Sequence, residues 1–206
     1  MTSATRRSLP VVAATARSVA LDSIIGRLRN RPVERDLPFV QSYGGGVDSV
    51  YILERFLREP QSRPFEPAEL VVVMAQTGDE FTDTRDFHRR IVLPDMRRHR
   101  VRFLQVARTR TGRESSRVLE DSRAPSDLYI DGDYRLSDEM HEAGTLPTTA
   151  GDRVCSQRSK GVPVDRTIRD HLRIDGRFVH AFGFDRDELS RIAKCEAAIA
   201  ERNLRR

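Results

Sequence analysis

The stretch Phe39-Val40-Gln41-Ser42-Tyr43-Gly44-Gly45-Gly46-Val47-Asp48-Ser49-Val50 constrains the fold of this chain more than any other. It opens as a short apolar run and breaks into three glycines. It then resumes with Val50, Ile52, Leu53, Phe56 and Leu57 at helical spacing. A strand, a glycine turn and a helix start in that order build an anion site. Glycines let the backbone approach a phosphate without an intervening Cβ, and the free N–H groups of the first helical turn point at the charge. Ser49 adds a hydroxyl donor, and Asp48 suits either an N-cap or a carboxylate beside a metal. The competing reading is a tight turn before a helix, but three glycines followed by Asp-Ser exceed what such a turn needs.

From Leu37 onward the pattern alternates between strand and helix. Residues 37–42 read as a strand, and a helix contains 50–57. Glu69–Gln76 is a continuous apolar run of the kind buried on both faces of a parallel sheet. A helix is predicted over about 82–98, a strand over 101–106, a helix over about 164–173, a strand over 178–182 and a last helix over 187–203. Residues 109–163 read as irregular, with two short helices. Strands alternating with helices predict an α/β fold, a doubly wound three-layer arrangement with a parallel sheet and helices on both faces. The first 36 residues differ. Up to Ala20 they carry Arg6, Arg7 and Arg17 and no acid, in a composition that resembles a transit peptide. A flexible basic segment leading into a helix over Val19–Arg29 is the preferred reading, followed by one nucleotide-binding domain over 37–206.

The 206 residues suffice for one domain with a sizeable core. No run of about 18 apolar residues occurs, so no membrane span is expected. Two cysteines, Cys155 and Cys195, build neither a disulfide framework nor a four-thiolate cluster, and a reducing cytoplasm is the expected compartment. Of the 36 basic residues only Lys160 and Lys194 are lysine, and the net charge is +5. Guanidinium pairs bidentately with phosphate, so the bias suits nucleotides or nucleic acid. The basic positions are scattered among 31 acids, which equally describes a solvated surface.

Three further polar segments fall where chemistry is expected. Thr77-Gly78-Asp79-Glu80 directly follows the second strand, at the end where ligands of open α/β sheets bind. It also reads as a capped loop opening the next helix, with Asp79, Glu80 and Thr82 as capping groups. Cys155-Ser156-Gln157-Arg158-Ser159-Lys160-Gly161-Val162-Pro163 places a thiol beside Arg153, Arg158 and Lys160, a setting that lowers a thiol pKa. The bland alternative is a small buried residue. Gly183-Phe184-Asp185-Arg186-Asp187-Glu188-Leu189-Ser190-Arg191 follows the last strand, with Arg191 able to reach a phosphate or to sit in a salt bridge. His88, His99, His141, His171 and His180 show no metal-ligand spacing, alone or with the cysteines, and no metal site is assigned. His180, in an apolar strand, reads as a core histidine. Cys195, on an alanine-rich helix face, reads as structural.

Gly44-Gly45-Gly46-Val47-Asp48-Ser49 resembles the PP-loop of the ATP pyrophosphatases, usually Ser-Gly-Gly-x-Asp-Ser. Gly44 stands where the family has serine, with Ser42 two residues earlier. The variant is similar to the phosphoadenosine phosphosulfate reductase-like branch. Thr77–Glu80 resembles that branch's Thr-Gly-x-Glu segment, Cys155–Pro163 its Cys-Thr-x-x-x-Lys-x-x-Pro stretch, and Gly183, Glu188 and Arg191 its Gly-Ile-Arg-x-x-Glu-x-x-Arg element, with Asp185 at the family's first arginine. The resemblance spans roughly residues 37–195.

It implies an adenine nucleotide alpha-hydrolase-like fold and ATP bound with Mg²⁺ and cleaved between the alpha and beta phosphates. Sulfur or nitrogen then attacks the adenylated substrate. On this reading Ser42, Gly44, Gly45, Gly46, Val47, Asp48, Ser49, Thr77, Gly78, Asp79, Gly183 and Arg191 hold the nucleotide, and Cys155, Lys160 and Asp48 carry the chemistry. The acceptor is a nucleic acid or a small molecule, and the chain allows a homodimer. Two alternatives stand beside this one. The first is a reductase acting on an adenylylated sulfate, against which the lack of a terminal Glu-Cys-Gly-Leu-like motif counts. The second is a nucleotide-binding module without turnover.

Overall fold

The computed structural model describes residues 36–109, 116–131, 135–146, 156–174, 176–184, 188 and 192–194. The chain divides into two compact units, 34–188 and a second formed by 1–33 with 189–206. Of the second unit only the helical residues 192–194 are described. The expected helix over 19–29 lies outside the described residues, as does most of the expected helix over 187–203, of which 192–194 are described and helical.

The larger unit is an α/β structure around a five-stranded sheet. β1 is Phe39–Ser42, followed by α1, Val47–Arg58, and β2, Leu70–Gln76. α2 runs continuously through Thr82–Phe87, His88–Val92 and Leu93–Arg98, and leads to β3, Arg102–Arg108. β4 is Ser116–Ser122 and α3 is Leu136–Glu142. α4 runs through Gln157–Gly161, Val162–Arg166 and Thr167–His171, and β5 is Val179–Ala181. Both long helices contain a proline, Pro94 in α2 and Pro163 in α4, and in each a widened π-type turn immediately precedes it. Proline cannot donate to the carbonyl four residues back, and the wider turn absorbs the mismatch without ending the helix.

The sheet order is β4-β3-β2-β1-β5. β1 pairs in parallel with β2 and with β5, and β2 in parallel with β3. The expectation of a wholly parallel sheet needs one correction, because β4 runs antiparallel to β3. β4 falls inside the stretch read as irregular. Its sequence, Ser-Arg-Val-Leu-Glu-Asp-Ser, has only two apolar residues because it is a half-exposed edge strand, where charges discourage pairing with other chains. A register shift at Gln105/Val106 bends it further from the regular alternation.

Helices cover both faces. On one, Leu53 and Leu57 of α1 and Val92, Leu93 and Met96 of α2 pack on Phe39, Leu70, Val72, Met74 and Phe103. On the other, Val164 and Ile168 of α4 pack on Val40, Val73, Ala75, Leu104 and Val106. β2 and β3 are buried on both faces; β2 accordingly reads as an apolar run up to Gln76, while β3 carries buried Gln105 within its apolar stretch. Burying each large side chain here contributes about 1.5–3 kcal/mol. Among the described residues no helix is long and apolar enough to cross a membrane.

Asp121 fastens the edge strand. It accepts two hydrogen bonds from Arg102, at 2.8 and 2.6 Å, and lies 2.8 Å from His171 Nε2 of α4. The Arg102 hydrogen bonds chiefly hold its carboxyl at about 2, below the ordinary 3.8. A depressed carboxyl pKa stabilises the fold above the unfolded value, and that contribution is lost as pH falls from about 4 towards 2. Asp121→Asn should therefore cost about 1 kcal/mol at neutral pH, solvent screening included, and should flatten this part of the acid limb of a urea-midpoint-against-pH profile. An unchanged limb would show that Asp121 contributes nothing to it.

Candidate functional site

Strands β1, β2 and β3 step in one direction across the sheet, and β5 then lies on the other side of β1. The carboxyl ends of β1 and β5 thus flank the point where the strand order reverses, where open α/β sheets leave a crevice. The glycine loop leaves β1 at this point. Tyr43 anchors its base: the Tyr43 amide donates to Val73 O at 2.9 Å, and its hydroxyl lies 2.7 Å from His88 Nε2. His88 Nδ1 lies 2.6 Å from Thr84 O. A carbonyl only accepts, so Nδ1 carries the proton and Nε2 accepts from Tyr43. Burial lowers the His88 pKa and holds the ring neutral, and burial likewise raises that of Tyr43.

The three glycines are not equivalent. Gly45 has φ 72°, and a Cβ there would meet Met74 Cε at 3.0 Å. The fold itself requires this glycine. Gly44 and Gly46 have no positive φ, and a Cβ on either would meet nothing within 4 Å. Neither is required by backbone strain or packing, and both face open space in front of α1.

The expected roles of the loop's polar residues change. Gly46, not Asp48, is the N-cap of α1, and no side chain caps the helix. Asp48 is exposed in the first turn. Ser49 is buried, its hydroxyl donates to Gly46 O at 2.9 Å, and it accepts from Gly44 N at 3.3 Å. Its side chain therefore closes the loop. Gln41, buried beneath, donates to Ser49 O at 2.8 Å. Val47 is 84% exposed, so the outer side of the loop opens to solvent.

Gly183, just beyond β5, reaches this loop. A Cβ on Gly183 would lie 2.9 Å from Ser49 N and 3.0 Å from Asp48 C. Two segments some 135 residues apart in sequence thus meet backbone to backbone, at a separation only glycine permits. Ser42 and His180 also come together, with Ser42 Oγ 2.7 Å from His180 Nε2. The core reading of His180 missed that partner. Its only sequence signal was a polar residue placed near the end of each of two strands.

At the same edge of the sheet, Gly78 turns the chain with φ 78°. Thr77 then donates to Glu80 Oε1 at 2.9 Å, and Lys160 Nζ lies 3.5 Å from the same oxygen. Asp79 accepts from the Ser137 amide at 2.8 Å and from its hydroxyl at 2.7 Å. α3 has no side-chain cap of its own, so Asp79 serves as one from a distance. The expectation that Asp79, Glu80 and Thr82 cap the following helix does not hold. Phe81 is the N-cap of α2, without a side-chain bond, and both acids bind other segments. Cys155 and Arg191 lie outside the described residues. Among the described residues no group of three or more His, Cys, Asp or Glu side chains is arranged to hold a metal.

Gly183→Ala should cost about 1–3 kcal/mol in urea unfolding, because the atoms it would strike are backbone and cannot rotate away. Gly44→Ala should unfold within about 0.5 kcal/mol of the parent. Equal stabilities for the two variants would contradict the close approach. No protein-family model, curated protein or solved structure gives a significant match to this chain, so its geometry alone bears on function.

Proposed function

We propose that this protein binds ATP at the glycine loop and cleaves it between the alpha and beta phosphates, adenylating an acceptor and releasing pyrophosphate. The observation that carries the reading is the pair of glycines, Gly44 and Gly46, that the fold does not need. They keep the N-terminus of a twelve-residue helix clear at the switch in strand order. An anion approaching there meets backbone N–H groups and the positive end of the helix dipole. The resemblance to the PP-loop rests on this same segment. The doubly wound, adenine nucleotide alpha-hydrolase-like architecture belongs to the proposal. It is supported by the order β3-β2-β1-β5 and by helices on both faces.

In this reading the backbone of Gly44–Val47 binds the phosphates, while Ser49 keeps the loop in shape from within. Mg²⁺ typically sits on one or two carboxylates together with substrate phosphates, and exposed Asp48 is placed to supply one. The ion would neutralise phosphate charge and ease departure of pyrophosphate. Lys160, on the turn that Glu80 holds, supplies an ammonium to the developing charge on the leaving group. Cys155, five residues before it, is the candidate nucleophile or sulfur carrier. Its thiolate would attack an activated carbon or sulfur while AMP departs. Thr77, Gly78 and Asp79 frame the nucleotide from the β2 side, and Arg191 is a candidate phosphate contact. The acceptor class, nucleobase-like or small molecule, and a cytoplasmic location belong to the same reading.

The test is calorimetry with ATP and Mg²⁺, followed by a pyrophosphate release assay. Asp48→Ala and Gly46→Ala should each weaken ATP binding by about 1–3 kcal/mol while leaving the unfolding midpoint nearly unchanged. Parent-like affinity in both would remove the loop from consideration. Cys155→Ser should retain ATP binding and lose transfer, because a hydroxyl is a far weaker nucleophile at neutral pH. A thiol-labelling midpoint at or above about 8.5 would return Cys155 to a structural role.

A further inference from the structure

Ser42 is the last residue of β1, two residues before the first glycine of the loop. Val40 of β1 pairs with His180 of β5, and Ser42 lies two residues along on the same face. The register thus sets the hydroxyl beside the imidazole, with Ser42 Oγ 2.7 Å from His180 Nε2. The ring cannot turn freely. It packs at a tilt against Phe182 with centroids 3.9 Å apart and lies 5.3 Å from Phe178. Gly183, three residues after His180, is the glycine that touches Asp48 and Ser49. The pair therefore stands at the β1–β5 crevice, beside the loop proposed to hold phosphate.

A serine hydroxyl has a single proton. If His180 Nε2 accepts it, Ser42 has none to give an anion. If Nε2 is protonated and donates to Ser42 Oγ, the Ser42 proton is free to turn towards one. We propose that His180 is a positioning residue for the nucleotide's phosphates, acting through Ser42. When an anion occupies the loop, His180 Nε2–H donates to Ser42 Oγ, and the Ser42 hydroxyl donates to the anion. The inference rests on the nucleotide reading above and adds to it a named relay. No covalent step is involved, only the placement of one proton.

The experiment uses the full chain and two probes, inorganic pyrophosphate and ATP, each with Mg²⁺, measured by calorimetry. Ser42→Ala and His180→Phe should each weaken binding about tenfold, the size of one lost hydrogen bond to a charged group. The double variant should bind no more weakly than either single one, since the two side chains act as one unit. His180→Phe keeps a ring in the aromatic stack. His180→Gln restores an N–H donor and should bind within about threefold of the parent, a recovery that a purely structural role would not produce.

Nitrogen NMR of the parent protein gives a readout that needs no variant to fold. Saturating pyrophosphate should shift the His180 ring towards the Nε2-protonated form. Unmoved ring nitrogens at saturation, parent-like binding by His180→Phe, or additive losses in the double variant would each overturn the relay while leaving the loop assignment intact. A parent protein that binds neither pyrophosphate nor ATP would overturn both.

Discussion

Tyr43 leaves β1 with its amide bonded to Val73 O and its hydroxyl bonded to buried His88, and this double anchoring sets the height at which the glycine loop begins. Everything at the crevice is measured from that point. Gly45 turns above Met74 and the His88 ring, Gly46 opens α1, and Ser49 folds back to Gly46 O. His88 contributes from α2, so the loop after β1 is fixed by the helix that follows β2. Losing the Tyr43 hydroxyl would leave a buried imidazole nitrogen without its donor, at a cost of about 1–3 kcal/mol. The loop is thus anchored underneath and open on top.

The turn after β2 has a different task. Asp79 and Glu80 reach away from their own helix and tie down two separate segments, α3 through Ser137 and the start of α4 through Lys160. Leu136 N adds a bond to Thr77 O, and buried Arg108 at the end of β3 pairs with Glu139 of α3. α3 has no buried residue of its own. Polar contacts to the carboxyl ends of β2 and β3, rather than apolar packing, therefore hold it over this edge. Two described parts of the chain between β3 and β5, α3 and the start of α4, are in this way returned to the edge of the sheet where the glycine loop lies.

Much of this was legible in the sequence because burial writes itself into composition. β2 is apolar from Leu70 to Ala75 since both its faces are covered, and α1 shows its core stripe at Leu53 and Leu57. β4 was not legible, because an exposed edge strand lacks the alternation that burial imposes and is held by Arg102–Asp121, a pairing between residues 19 apart. The site divides the same way. The glycine loop is a local feature, and its strand–turn–helix order was readable. The partners of Asp79, Glu80 and His180 lie 58, 80 and 138 residues away, and no local pattern announces them. Capping was misassigned because Asp79, Glu80 and Thr82 have the composition of a helix start, but Ser137 engages the Asp79 carboxylate, and Thr77 and Lys160 engage that of Glu80.

The loop departs from the PP-loop pattern at Gly44, where the hydroxyl of a serine is missing, and the surrounding geometry bears on what replaces it. Ser49 cannot, because its hydroxyl donates to Gly46 O and its oxygen receives Gly44 N, so both functions serve the loop itself. Asp48, a carboxylate, would meet a phosphate only through a cation. What remains beside the backbone N–H groups is Ser42, whose hydroxyl is engaged with an imidazole packed between Phe178 and Phe182. A hydroxyl at Ser42 would stand on a hydrogen-bonded strand rather than on the glycine turn. On the relay proposed above, its direction would be governed by β5, the strand whose following glycine closes on the same helix.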